Sequence, residues 1–209
     1  MTGRIIRGDA CVAEGAAWLA ARDERFAVAL DTLGPLPLRL RTDGFSALVS
    51  AICSQQVSVA SANAIYGRLD AAGMTDVAAV RAATEEELRA LGLSRPKAHY
   101  VKSLAAAEID YDALRAMPTE TVIATLVAVP GIGVWTAEIY AMFSLGRADV
   151  IAPGDLALQE AARLLFDLPA RPTDKALRAM AEAWSPWRSV AARLLWAYYA
   201  QQKSREGLR

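Results

Sequence analysis

LVAVPGIGVWTAEIYAMFSLGRADVIAPGD, running from Leu126 to Asp155, is the stretch whose reading decides the fold. An apolar run leads into a Pro-Gly-Ile-Gly hairpin at 130–133, the apolar segment Val134 to Leu145 reads as a helix, and a lone carboxylate, Asp155, follows. Gly131 and Gly133 can take backbone angles that residues with a Cβ avoid, and they leave main-chain N–H groups unobstructed at a helix start. The helix dipole adds partial positive charge there, so a phosphate can be held without a basic side chain. On turn chemistry alone, the same four residues also suit an ordinary bend between two helices.

Outward from the hairpin, the whole chain reads as helical. Glu14 to Leu33 has the pattern of one amphipathic helix ended by Gly34-Pro35, and Leu36 to Arg41 is short enough to be extended. Asp43 is a candidate cap for a helix from Gly44 through Ile52. Ser54-Gln55-Gln56-Val57-Ser58 interrupts the apolar pattern, and Ser58 can cap the next helix, Val59 to Leu69. Thr84 and Glu87 form a capping box for a helix over Glu85 to Leu91 that Gly92 ends, and Ser94 is a candidate cap for the helix after it. Arg95, Lys97 and Lys102 make a basic cluster there, either a solvated face or a phosphate contact. Met117-Pro118-Thr119 starts the helix that enters the hairpin. Leu156 to Phe166, Lys175 to Trp184 and Pro186 to Ala200 are further helices, with Arg171-Pro172-Thr173 as a break, and Gln201 to Arg209 is expected to fray. The fold class is all-α, with roughly ten short helices and no repeat or low-complexity linker.

Composition narrows the chemistry. At 54% hydrophobic and 22% charged residues, the 209-residue chain is globular rather than disordered. No apolar run approaches the roughly 20 residues that span a bilayer, and the opening MTGRIIRGDA lacks a signal-peptide core, so a cytoplasmic protein with no membrane partner is expected. A formal net charge of +0 argues against binding through a global basic field and leaves nucleic-acid binding to a local surface. Cys11 and Cys53 are too few for an iron–sulfur cluster and are expected as buried thiols. His99, the only histidine, removes most Ser/His/Asp and His-ligated metal schemes.

Three words in the right order carry a resemblance: Ile52-Cys53-Ser54-Gln55-Gln56-Val57-Ser58, Val129-Pro130-Gly131-Ile132-Gly133-Val134-Trp135-Thr136-Ala137, and Trp184-Ser185-Pro186-Trp187-Arg188-Ser189. Together they resemble the helix-hairpin-helix (HhH-GPD) DNA glycosylase superfamily, in its alkylation-repair branch, the 3-methyladenine DNA glycosylase II group. The resemblance implies two helical lobes with a cleft between them for an extruded base. The inner lobe covers about 44–147, with the helix-hairpin-helix at about 119–145, and the outer covers about 1–43 plus 148–209. Relatives with an additional N-terminal β-sheet domain are longer, and only the helical part is expected in this chain.

The resemblance also assigns roles. The Gln55-Gln56 turn enters the minor groove, with the residue at the Gln56 position filling the gap left by the extruded nucleotide. Gly131 and Gly133 amides, with Thr136, anchor phosphates 3′ of the lesion. Asp155 stands beside the sugar C1′, where it stabilises the positive charge that develops as the N-glycosidic bond breaks. Asp155 directly before a helix is equally an N-cap, and Asp149 and Glu138 are its rivals. Trp135 occupies the position where backbone-cutting branches carry a Schiff-base lysine, which implies a monofunctional enzyme that leaves an intact abasic site. Its π-face suits a cationic N-alkylated purine, at roughly 0.5–2 kcal/mol of cation–π attraction. Trp196 and Ile139 complete the implied pocket, although burial as plain core accounts for Trp196 as well and for Ile139 better. The main-chain carbonyls of Val127, Val129 and Gly131 match a monovalent-cation site seen in relatives, and no other cofactor is implied. The implied partner is double-stranded DNA containing damaged bases, met by a monomer. Open alternatives are the same fold acting on deaminated or cyclic-adduct bases, and a non-catalytic helix-hairpin-helix DNA-binding protein.

Overall fold

A computed structural model describes residues 3–206. Among them are thirteen α-helices, one 3-10 turn and no strand: α1 (Asp9–Ala20), α2 (Glu24–Leu33), α3 (Phe45–Ser54), α4 (Val59–Ala71), α5 (Val77–Ala82), α6 (Glu85–Ala90), α7 (Arg95–Ala106), α8 (Tyr111–Ala116), α9 (Thr119–Val127), α10 (Val134–Phe143), α11 (Leu156–Leu165), α12 (Asp174–Met180) and α13 (Arg188–Glu206), with the 3-10 turn at Ala181–Trp184. The only extended pairing among these residues is an isolated bridge between Ile5 and Arg147. No described helix is long and apolar enough to cross a membrane, and no described group of His, Cys, Asp or Glu is placed to hold a metal.

The helices gather into two compact units. The first is the continuous stretch Arg41–Tyr140. Its core is aliphatic: Leu48, Val49, Ile52, Leu69, Val80, Leu88, Val101, Leu104, Leu114, Val122 and Leu126 are all buried, and α7 packs against α3, α5 and α6. The local start signals operate as their chemistry requires. Ser58 Oγ accepts the Ser61 amide, and Thr84 and Glu87 close a reciprocal capping box.

The second unit combines the chain up to Leu40 with the chain from Ala141 onward. Here α13 packs on α1, α2 and α11. Gly15 lets α1 approach closely, since a Cβ there would lie 2.7 Å from the Trp187 ring. Phe26 packs edge-on against Phe166 and Trp184 at 5.5 and 5.6 Å between centroids. Arg193 is fully buried and donates to Leu38 O from Nε (3.0 Å) and Nη2 (2.9 Å) and to Ser189 O from Nη1 (2.8 Å), which ties the segment after α2 to α13.

Several boundaries differ from expectation. The single helix over Glu14 to Leu33 is two helices, because Asp23 turns out of the helix and caps α2 by accepting the Arg25 amide at 3.0 Å. Asp43 does not cap α3: Gly44, at φ 94°, holds that position and donates its amide to Tyr140 Oη, while Asp43 pairs with Arg115. Ser94 sits at the N-cap of α7 without a side-chain bond. Helices α5 and α8, each six residues long, were too short to register as a period. Helix α13 starts at Arg188, two residues later than expected, and carries the segment expected to fray through Glu206; 207–209 lie outside the described residues.

Candidate active site

The hairpin is a type II turn in its details. Val129 C=O accepts the Ile132 amide at 3.1 Å, Pro130 sets the first central position, and Gly131 takes φ 89° at the second. Glycine is required at 131 for space as well: a Cβ would fall 2.3 Å from Tyr100 Cγ. Gly133 then opens α10, its carbonyl accepting the Ala137 amide at 3.0 Å, and a Cβ built on Gly133 would meet nothing within 4 Å. Val134 and Trp135 follow at 47% and 46% exposure, unusual for such large apolar side chains. Ile139, one turn on and half-buried, shares the Trp135 face of the helix. Thr136, expected as a phosphate anchor, is buried, so its hydroxyl is not displayed on the surface.

The Gln55-Gln56 turn splits the two glutamines. Gln56 is exposed and left-handed at φ 56°, a conformation that a residue with a side chain holds only where its surroundings impose it. Val57 and Val59 beside it are exposed. Gln55 instead turns inward, and its Nε2 donates to Gly131 O at 2.9 Å. It was expected to face DNA beside Gln56, but its amide is engaged with the hairpin.

Asp155 caps α11 as its position before a helix suggested. Its Oδ1 accepts the amides of Ala157 (2.9 Å) and Leu158 (3.1 Å). The same oxygen also accepts the indole N–H of Trp196 at 3.3 Å, a contact that the sequence did not reveal. Trp196 is half-buried, its ring lies 5.6 Å from that of Phe143, and the Arg193 guanidinium lies 4.8 Å from the Phe143 centroid. Burial, and then the charge of Arg39, lower the Arg193 pKa to about 10, which still leaves it cationic at neutral pH. Phe143 was not anticipated; its spacing of four residues from Ile139 along α10 was the available hint.

The rivals of Asp155 are otherwise placed. Asp149 accepts Arg188 Nε at 2.6 Å and Nη2 at 3.0 Å, and Ser185 Oγ at 2.8 Å. Burial raises its pKa, but these hydrogen bonds more than offset that and hold it below the ordinary value, as for a structural ion pair. Glu138 is buried on α10.

The basic cluster of Arg95, Lys97 and Lys102 is not a cluster. Lys97 is buried and donates to Cys53 O at 2.8 Å, and Lys102 Nζ satisfies the carbonyls of Val80, Arg81 and Ala83 at the end of α5. Burial pushes the Cys53 thiol up to about 11, Lys97 pulling slightly the other way, so this cysteine stays protonated and inert.

The structure therefore brings together Gln55 with Gly131, Trp135 with Ile139 along one helix face, and Asp155 with Trp196. The chain is also similar to known proteins. DNA-3-methyladenine glycosylase 1 of Schizosaccharomyces pombe is 32% identical over 165 residues, 75% of this chain and 72% of that one. A DNA-3-methyladenine glycosidase structure from Bacillus halodurans superposes with a TM-score of 0.80 at 31% identity, covering 98% of this chain and 95% of that one. The 3-methyladenine DNA glycosylase of S. pombe in complex with abasic DNA does so with a TM-score of 0.76 at 30% identity, covering 88% and 95%. Residues 49–188, which hold the glutamine turn, the glycine hairpin and Asp155, match the family model, and the chain belongs to the HhH-GPD superfamily of base excision DNA repair proteins.

Proposed function

We propose that the chain is a monofunctional DNA glycosylase that extrudes N-alkylated purines of the 3-methyladenine and 7-methylguanine type from duplex DNA and hydrolyses their N-glycosidic bond. The observation that carries the proposal is the Asp155 carboxylate, fixed at the head of α11 by two amides and the Trp196 indole. A carboxylate held in one orientation is suited to stabilise positive charge developing at C1′, because it need not reorganise when the charge appears. Trp135, exposed in the first turn after the hairpin, offers a π-face to a cationic base and has no amine with which to attack C1′. The alkylated base is a good leaving group, so no general acid is invoked. The names of the S. pombe and B. halodurans relatives support the lesion class.

DNA is bound in this reading through the amides of Gly131 and Gly133 and the main chain at Thr136, with Gln56 occupying the vacated stack. These neutral contacts suit a protein with a net charge of +0. The protein acts as a cytoplasmic monomer on damaged duplex DNA. The carbonyls of Val127, Val129 and Gly131 supply neutral oxygens suited to a monovalent cation. Val129 O and Gly131 O each accept one hydrogen bond from within the protein, which leaves each a second lone pair. A bound cation would add positive charge beside the phosphate grip.

The test is release of free base from methylated duplex DNA. Release by the wild type, its loss in Asp155→Asn, and no borohydride-trapped enzyme–DNA adduct are expected. Tight lesion binding with no free base would point to a non-catalytic binder, and release only from deaminated or cyclic-adduct oligonucleotides to a different lesion class.

A further inference from the structure

Three elements of the Arg41–Tyr140 unit are linked pairwise into a closed ring. The end of α3 is tied to α7, because Lys97 Nζ donates to Cys53 O at 2.8 Å. An ammonium suits that place, since carbonyls at a helix C-terminus carry partial negative charge. Helix α7 is tied to the hairpin through Tyr100, one turn after Lys97, whose ring lies so close to Gly131 that there is no room for a Cβ. The hairpin is tied back to the turn after α3 by Gln55 Nε2 donating to Gly131 O. Both backbone points joined by the ring are left-handed or adjacent to such a residue, Gly131 at φ 89° and Gln56 at φ 56°. Lys97 is buried at 9% exposure, and an apolar side chain of similar length would fill the same space without the cost of desolvating a charge. The ammonium therefore contributes position more than stability.

We propose that Gln55, Lys97 and Tyr100 are positioning residues that hold the Gln56 tip at a fixed span from the Gly131–Gly133 amides, so that phosphate grip and plug engage the strand as one rigid frame. The frame serves extrusion rather than affinity. That second statement rests on the glycosylase reading; the mechanical coupling of turn and hairpin does not. A loosened frame still grips phosphate through the hairpin amides, but the plug no longer arrives in register, and a misplacement of about 1 Å can cost on the order of 100-fold in rate.

The experiment compares wild type with Gln55→Ala, Gln55→Glu and Lys97→Met in three measurements below their melting temperatures: affinity for undamaged duplex by anisotropy, extrusion from the fluorescence of a 2-aminopurine beside a lesion, and amide hydrogen exchange. Gln55→Ala is expected to bind undamaged duplex within about 2-fold of wild type while extrusion and single-turnover base release fall at least about 10-fold. Gln55→Glu, which sets a carboxylate against the Gly131 carbonyl, falls at least as far. Exchange is expected to speed up at 129–133 as well as at 54–58 in Gln55→Ala, and Lys97→Met to do the same. Equal losses of affinity and rate would make Gln55 a direct DNA contact and overturn the frame. So would faster exchange confined to 54–58, a result that stands whether or not the wild type releases a base. Absence of base release by the wild type sinks the glycosylase reading alone.

Discussion

The indole N–H of Trp196 and two main-chain amides of α11 converge on a single atom, Oδ1 of Asp155, although Trp196 lies 41 residues away on α13. In the proposed mechanism capping and chemistry share this side chain, and substitutions can separate them. Asp155→Asn keeps a carbonyl oxygen for the cap and loses the charge. It is expected to melt within about 1 °C of wild type and to release base at least about 100-fold more slowly. Asp155→Ala loses the cap too, about 1 kcal/mol, which lowers the melting temperature by about 2–4 °C in a chain of this size. Thermal denaturation with base-release kinetics on both variants checks the separation.

Trp196→Phe retains an aromatic ring against Phe143 and removes only the donor. Stability is expected to change by no more than about 1 kcal/mol, since one hydrogen bond at 3.3 Å is lost, while single-turnover base release falls about 3- to 10-fold as the carboxylate gains freedom. Unchanged kinetics would show that the indole bond is not needed to orient Asp155.

Gly131→Ala meets two obstacles at once, a left-handed φ of 89° and the Tyr100 ring 2.3 Å from the new methyl. A loss of about 2–4 kcal/mol by urea denaturation is expected, the sum of backbone strain and overpacking. Gly133→Ala, with open space around its Cβ, is expected to be close to neutral for folding and to weaken duplex binding by crowding the approach of a phosphate.

Asp149 supplies a pH dependence whose sign follows from its partners. Burial pushes its pKa up, but Arg188 and Ser185 more than offset that and hold it below the ordinary carboxylate value, so the folded state binds the proton less readily than the unfolded chain does. The stabilisation is present in full above the unfolded pKa and is lost as pH falls through the lower folded value. Asp149→Asn is therefore expected to be less stable than wild type by roughly 1–2 kcal/mol at pH 7, with the gap closing below about pH 4. Denaturation midpoints of both proteins from pH 7 to pH 3 provide the check.

Features encoded over a few residues are legible in the sequence. Thr84 with Glu87, Ser58 before Val59, Pro130-Gly131 at the turn and Asp155 at the head of α11 all act within one helical turn, where geometry follows from residue type. Features decided across the chain are not. Gln55 meets Gly131 from 76 residues away, and Asp43 meets Arg115 from 72, so neither contact leaves a periodic trace. Lys97 and Lys102 read as solvated because lysine usually is, yet both spend their protons on backbone carbonyls. The break between α1 and α2 was hidden by Ala21 and Arg22, good helix formers on either reading, and it is decided by Asp23, which leaves the helix and caps α2.

One unit is a single run of chain from Arg41 to Tyr140, whereas the unit containing Asp155 is assembled from both sides of that run and packs its first two helices against its last. Synthesis proceeds from the N-terminus at about 5–20 residues per second, so the glycine hairpin leaves the ribosome well before α13 is made. Until Trp196 emerges, Asp155 lacks its indole donor, and α1 and α2 have each other but not the surface that α13 supplies. A chain arrested before Arg188 would thus carry the glycine hairpin without the completed surroundings of Asp155, which, in the proposed mechanism, makes competence for bond cleavage the last property the nascent polypeptide acquires.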